Sequence, residues 1–347
     1  MDPTKHLANT LNNCCNYSLS SDEDKYIRVN GIEAFIYAAL TRKKFRKWKI
    51  DESSQKRVRE AVGLNVAAGQ PIKFVFPFGG YKLWRLRSAP EVDWAEFFTL
   101  AYYIQYLSPI VTAYKPGVDL CFSSDDIIIY RMDNIAEADT DRYYSSFRKL
   151  IGCFTSSLPD NFRLSITRIG DLYPDKGVFE KELAVNIEKQ QAAYDSMDPI
   201  RKEKMLKTSR LNINFTGAED WVSLSLAQQE EKVKMGVMYH DAYGKVSRRV
   251  EFVRGKDKIV LFTTPIPDAI ALGTTNNSVT KFWTGSGILE INGDQLENRI
   301  VSPSRLIEAS ALPHDQALCT LIPLANFKEI SVFSQPLRFI DPPESSK

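Results

Sequence analysis

The sequence predicts an α/β protein with a Rossmann-like mixed sheet at its core, helices before that sheet, and a β-rich C-terminal half. Three observations lead to this class. A compact apolar run at residues 72–78 is typical of a buried strand. Residues 92–106, which are apolar on nearly every side, predict a long helix that Pro109 kinks or ends, and residues 118–122 alternate as a second strand. Short apolar runs separated by Gly, Pro and Asn turns occupy residues 237–291.

The N-terminal part is predicted in two steps. Residues 1–24 are polar and rich in Asn and Ser, so we expect a flexible N-terminal segment there. Residues 25–170 are expected to form the α/β core together with its N-terminal helices, of which residues 32–40 are amphipathic. Ser88 and Glu91 have the spacing of a capping box, which predicts that the long apolar helix begins near Ala89.

The later elements follow from charge density and alternation. A helix at residues 136–154 and a strand at 162–168 complete the predicted core. Residues 171–235 are dense in Glu, Lys and Gln, so we expect a helical layer or lid. Residues 236–339 are expected to be β-rich and residues 340–347 to be a tail. The β-rich part is predicted to contain short strands at residues 246–252, 259–262, 269–272, 279–283 and 288–291.

The composition limits the class of protein. With 44% hydrophobic and 25% charged residues the chain resembles an ordinary globular protein, and its net charge of +2 provides no overall field for nucleic acid. The basic run at residues 42–49 is interpreted as the solvated end of a helix, so we expect no nucleic-acid partner. No segment has the pattern of a membrane span or a signal peptide, and the five cysteines lack CxxC spacing. We therefore expect a cytoplasmic protein that is not inserted in a membrane. The sequence leaves its oligomeric state open.

Two clusters of polar residues follow the predicted strands of the core. Lys82 and Arg85 lie on the glycine-started loop after the first strand, and Ser124, Asp125 and Asp126 end the second. The carboxyl ends of strands face the ligand crevice in open α/β sheets, so we expect the two clusters to be neighbours. The loop cations before a helix N-terminus would suit a phosphate or carboxylate, and the alternative is that they are surface charges beside buried apolar residues.

The two adjacent acids allow three interpretations. Together, Asp125 and Asp126 could hold a divalent cation bound to a diphosphate. Singly, one of them could accept a substrate ammonium or act as a base. In the structural alternative, Asp125 caps the next segment and Asp126 is solvated. Arg131 follows closely and is interpreted either as their ion-pair partner or as a phosphate fork.

Three candidates come from the C-terminal half. His240 is a candidate general acid–base group, with simple exposure as the alternative. Lys281 and Trp283 could close over a ligand, or they belong to an edge strand with alternating charge. The chain has no HExxH motif or other metal-binding spacing, so we predict neither a metal site nor a cofactor.

The order of these features is similar to that in the isocyanide synthase family of pyoverdine and dityrosine biosynthesis proteins. The shared pattern covers residues 72–151. It includes a Pro-aromatic-x-x-x-Lys loop ending at Lys82, a Tyr-x-Pro-Gly turn at residues 114–117 and a strand ending in Ser124-Asp125, followed by Asp139 and Tyr143 in a later helix. The loop departs from the family, because Gly-Gly-Tyr-Lys-Leu-Trp stands at residues 79–84 in place of the expected Pro-Cys/Phe-Lys-Ser.

The resemblance implies an α/β enzyme. Members of the family condense the amino group of tyrosine or tryptophan with a carbon from ribulose 5-phosphate to make an isocyanide. It therefore implies an amine or amino acid near Asp125 and a small anionic sugar phosphate near Lys82. Two other functions stay open from the residues alone, a metal-dependent glycosyl- or nucleotidyl-type transferase using Asp125 and Asp126, and a non-catalytic interaction protein.

Overall fold

Four helices precede the central sheet. The computed structural model describes residues 2–46, 48–83, 86, 88–210, 223–273, 282–302, 312–315 and 329–334. The first helices are α1 (Pro3–Asn13), α2 (Ser21–Asn30), α3 (Ile32–Leu40) and α4 (Glu52–Ala67). Helix α1 lies in the segment that we expected to be flexible. Its Leu7 and Leu11 are buried in the main hydrophobic core, and this apolar face, which the polar composition concealed, holds the helix in place.

The central sheet consists of five parallel strands. They are β1 (Ile72–Phe78), β2 (Val118–Ser124), β3 (Phe162–Arg168), β4 (Lys258–Phe262) and β5 (Ala269–Ala271), in the order β3-β2-β1-β4-β5. The inner strands are almost continuously apolar because both of their faces are covered. The order of the strands reverses between β1 and β4, and a ligand crevice is expected outside their carboxyl ends at such a point.

The helices of the second part connect and cover this sheet. They are α5 (Trp94–Ala113), α6 (Asp126–Met132), α7 (Glu137–Thr155), α8 (Lys176–Asp195), α9 (Pro199–Arg210), α10 (Leu226–Tyr243) and α11 (Ser247–Arg254). Helix α5 is buried along most of its length and continues past Pro109. It can do so because the Ser108 hydroxyl donates to the Gln105 carbonyl (2.9 Å), which Pro109 leaves without its usual N–H partner. No helix among the described residues is both long and apolar enough to cross a membrane.

A second, smaller sheet follows the central one. It contains β6 (Ser286–Asn292), β7 (Gln295–Val301), β8 (Leu312–Asp315) and β9 (Glu329–Phe333) in the order β7-β6-β9-β8. Strands β6 and β9 are parallel, whereas the two outer pairs are antiparallel. The predicted α/β class is therefore confirmed. The core sheet, which we expected to be mixed, is parallel, and the mixed pairing occurs in the smaller C-terminal sheet.

The predicted start of the long apolar helix differs from the structure. Helix α5 begins at Trp94 and not near Ala89, because Asp93 and Glu96 form the capping box. The Ser88 hydroxyl donates to the Asp93 carboxylate (2.7 Å) and does not cap a helix itself. Asp93 accepts from the Ala95 N–H (2.7 Å), and Glu96 accepts from the Asp93 N–H (2.8 Å).

The segment predicted as a strand at residues 246–252 is helix α11. Its Arg249 and Val253, four residues apart, face inward, whereas Arg248 and Glu251 pair on the outside (3.2 Å). The described strands of the β-rich part agree with the predictions at β4, β5 and β6. Of the strand predicted at 279–283, residues 279–281 lie outside the described residues, and Phe282–Thr284 form a short 3-10 turn.

Candidate active site

A cavity of about 980 Å³ lies at the carboxyl ends of β1 and β4, where the strand order reverses. Phe78 and Gly79 line it from the end of β1, and Phe262 lines it from β4. Residues from α6, α8, α9, α10 and α11 form its other walls. The lining residues of α8 and α9 lie in the segment where a helical layer was expected, whereas those of α10 and α11 lie in the part expected to be β-rich. Trp283 is 6% exposed and adds an aromatic surface, with its ring 5.8 Å from that of Phe78.

Asp125 projects into this cavity and is held by two side chains. It stands at the N-cap position of α6 but makes no capping hydrogen bond. Its Oδ1 accepts from the Tyr243 hydroxyl (2.7 Å) and the Arg249 Nε (3.2 Å), and its Oδ2 accepts from Arg249 Nη2 (3.0 Å). Burial and the Asp125 carboxylate raise the pKa of Tyr243 well above its usual value, so this hydroxyl keeps its proton and remains a donor.

A second acid in the cavity, Asp133, was absent from the predicted site. It follows the last residue of α6 and is 3% exposed. Burial raises the pKa of Asp133 to about 7, although nearby His240 acts in the opposite direction. A carboxyl with such a pKa can both take and give a proton near neutral pH. Asp133 lies just past the end of α6, and only the folded structure shows that its carboxyl faces the cavity.

Two cationic side chains line the cavity without a carboxylate partner in the described part of the chain. These are Arg201 in α9 and Lys245, between α10 and α11, and both are exposed. Arg254 also lines the cavity, but its Nη1 donates to the Pro267 carbonyl (2.9 Å). Arg201 and Lys245 are therefore the cations that an anionic ligand could reach without displacing a protein acceptor.

Lys82 lies outside this cavity lining, in a buried ion-pair cluster. Its Nζ is 2.9 Å from both carboxylate oxygens of Glu96 and 3.1 Å from Asp93 Oδ1. It also donates to the carbonyls of Phe282 (3.1 Å) and Gly285 (2.7 Å). Burial raises the pKa of Glu96 to about 8, against the opposing effect of Lys82. The ammonium thus joins the loop after β1 to α5 and to the start of the second sheet.

The adjacent acids Asp125 and Asp126 face different cavities. Asp126 Oδ2 pairs with Arg168 Nε (2.6 Å), beside a smaller cavity of about 230 Å³. Burial raises the pKa of Asp126 to about 6, while Arg168 acts in the opposite direction. Ser124 is fully buried against Gly80, which has a φ of +75° and no room for a Cβ. Asp125 pairs with Arg249, whereas Asp126 pairs with Arg168. Within the described residues, no three His, Cys, Asp or Glu side chains form a metal-binding group.

The remaining predicted residues have varied surroundings. Arg131 pairs with Glu180 (3.0 Å) and so connects α6 to α8, with neither Asp125 nor Asp126 as its partner. His240 lines the large cavity with a 73% exposed side chain, and its Nδ1 is 3.6 Å from Asp241 Oδ1. Arg85 and Lys281 lie outside the described residues. The large cavity thus brings together Asp125, His240 and Trp283 from the predicted set.

The comparison with solved structures supports the fold. No protein-family model matches the chain, and no curated protein sequence matches it. Among solved structures, the chain is similar to the PvcA protein from Pseudomonas aeruginosa, with a TM-score of 0.62 and 14% identity over 87% of this chain and 100% of that chain. The resemblance inferred from sequence is therefore confirmed at the level of the fold.

Proposed function

We propose that this chain is an isocyanide-synthase-like enzyme that joins an amine or amino acid to a small sugar phosphate. The observation that carries the proposal is the pair of acids in one cavity, Asp125 fixed by Arg249 and Tyr243, and buried Asp133. This cavity occupies the ligand crevice of a fold that is similar to PvcA over the whole of that protein. The identity of both substrates belongs to the proposal.

The charged side chains of the cavity suggest a separate binding region for each of the two substrates. Arg201 and Lys245 are the accessible cations, so the phosphate of the sugar would bind there and not at Lys82. Asp125 accepts three hydrogen bonds from the protein, and a carboxylate can accept about four, which leaves one for a substrate ammonium. Asp133 would exchange protons with the reacting amine, since its pKa is raised to about 7.

A direct assay tests this function. The purified protein is incubated with ribulose 5-phosphate and either tyrosine or tryptophan, and mass spectrometry detects an isocyanide product. We expect product with the wild type and a loss of about 100-fold or more in rate for Asp133→Asn, because proton transfer by a placed group contributes that much. Asp241→Asn, which removes a partly exposed acid of the same cavity, is the matched control and should retain most of the rate.

Two other outcomes would overturn the proposal. Stabilisation by Mn²⁺ that EDTA reverses, measured by thermal unfolding, would instead favour a metal-dependent transferase. An absence of product, together with no change in melting temperature on adding either class of substrate, would favour a non-catalytic interaction protein. Both measurements use the intact chain.

A further inference from the structure

A second cavity, of about 570 Å³, lies apart from the candidate active site. Helix α1, helix α5, the residues after β5 and strand β7 border it, and it is partly open to solvent. The described residues that line it have no member in common with those of the large cavity. The proposed function uses none of them.

His6 is the one basic side chain in the described lining of this cavity. The lining contains no Asp, Glu, Lys or Arg among the described residues. Burial raises the pKa of Cys14 to about 12 and also raises the pKa of Tyr102 and Tyr103, so all three remain neutral. His6 Nε2 lies 2.8 Å from Asn298 Oδ1, and this contact joins α1 to β7. Burying a charged ligand among such groups would be costly, whereas an uncharged ligand avoids that cost.

Two hydroxyl groups in the lining, both on largely buried side chains, have no hydrogen bond within the described part of the chain. They belong to Thr99 (8% exposed) and Tyr103 (2% exposed), one turn apart on the same side of α5. The hydroxyls of the neighbouring Tyr102 and Tyr106 do have partners, the carbonyls of Phe45 and Leu40 (2.7 Å each). Neither hydroxyl oxygen is among the described atoms that are fully shielded and without a partner, so both are open to the cavity. A ligand hydroxyl can take the place of water at these two groups, which favours a guest with a polar group.

The other walls favour an apolar body in the guest. Phe98, Tyr102, Leu272 and Ile300 line the cavity around the two hydroxyls. Pockets of this size, mostly apolar with a few placed polar groups, are typical of small-molecule sites. We propose that this cavity is a second binding site, for an uncharged small molecule that has an aromatic or aliphatic body and a hydroxyl group directed at Thr99 and Tyr103.

Three probes with one carbon skeleton test the charge requirement on the wild-type protein. These are 3-phenylpropan-1-ol, 3-phenylpropanoate and protonated 3-phenylpropylamine, and their binding is measured by saturation-transfer NMR and calorimetry. We expect the alcohol to bind, and both ions to bind at least about tenfold more weakly, because the described lining offers no Asp, Glu, Lys or Arg to pair with them. Equal binding of the three probes, or no binding of the alcohol, would overturn the proposal.

Variants then locate the alcohol within the molecule. The double change Thr99→Val and Tyr103→Phe keeps the side-chain shapes and removes both hydroxyls, so affinity for the alcohol should fall by about tenfold. Tyr106→Phe removes a hydroxyl from the same helix outside the cavity and should leave the affinity unchanged. Asp133→Asn should also leave it unchanged, and this separates the second site from the proposed function. An alcohol that binds the double variant as it binds the wild type, or that is lost with Asp133→Asn, contradicts the assignment.

Discussion

The side chain of Lys82 is enclosed by protein acceptors, whereas that of Lys245 is exposed beside the large cavity. The sequence assigned the anion to Lys82 because the residue lies on a glycine-started loop before a helix. The tertiary structure supplies the acids of the Asp93–Glu96 capping box as its partners. Protein acceptors therefore surround Lys82, and the lysine that a ligand can reach, Lys245, comes from a different part of the chain.

The first prediction compares these two lysines. Lys82→Met leaves Glu96 and Asp93 without their buried cation, so the free energy of unfolding should fall by about 3 kcal/mol or more. Lys245→Met makes the same chemical change at an exposed position and should alter it by less than about 0.5 kcal/mol. Urea unfolding of both variants measures the difference. Similar losses for the two variants would show that the cluster does not stabilise the fold.

Asp125 and Asp126 illustrate why adjacency in sequence did not mean a shared site. The two residues span the boundary between β2 and α6, and consecutive side chains at such a point project in different directions. Asp125 faces Arg249 and Asp126 faces Arg168. The predicted shared cation would need both carboxylates on one side, which the backbone at this junction does not provide.

Among the secondary-structure elements, α1 lies where the composition gave no sign of a helix, and α11 is a helix where the alternation predicted a strand. The polar, Asn-rich start of the chain concealed an apolar stripe of two leucines, since only one face of a surface helix needs to be apolar. The alternating Val and Arg residues of 246–252 imitated a strand, but the same residues place Arg249 and Val253 on one helical face. In both segments, packing against the rest of the protein buries one face of a helix.

The second prediction concerns helix α1. Leu7 is 0% exposed and packs in the main core, so Leu7→Ala should lower the free energy of unfolding by roughly 2–4 kcal/mol. Val29→Ala in α2 removes apolar atoms from a side chain that is 73% exposed and should change it by less than about 0.5 kcal/mol. Chemical denaturation of both proteins is the measurement. A flexible N-terminal segment would instead make Leu7→Ala as mild as the control.

For the molecule as a whole, three buried carboxyls act on stability in the same direction. Burial raises the pKa of Asp126 to about 6, of Asp133 to about 7 and of Glu96 to about 8. The unfolded chain releases these protons near pH ~4, so between that pH and each raised pKa the folded state binds more protons. The stability that these groups contribute is complete below pH ~4 and is lost as the pH rises through their folded pKa values.

The third prediction follows from this proton linkage. The wild type should be less stable at pH 8.5 than at pH 5, with each group contributing up to about 1.4 kcal/mol per pH unit within its own window. Asp133→Asn removes one such group, so its stability should fall less between the two pH values. Asp241→Asn, which changes a more exposed acid of the same cavity, should keep the wild-type slope. Denaturant midpoints at both pH values decide the outcome, and parallel profiles for wild type and Asp133→Asn would contradict the assigned burial effect.

Local patterns were sufficient for β1, β2, β3 and α7, and for placing polar groups at the carboxyl ends of strands. Alternation in a strand and the spacing of apolar residues in a helix depend on neighbours a few positions away, so the sequence carries them directly. The partners of the site residues depend on long-range contacts. Arg249 reaches Asp125 across 124 positions, Tyr243 reaches it across 118, and Lys82 contacts the Gly285 carbonyl across 203. No periodic pattern specifies which distant residues meet, because the packing of helices on the sheet determines it, and so Asp133, Tyr243 and Arg249 were recognised as parts of the cavity only in the folded structure.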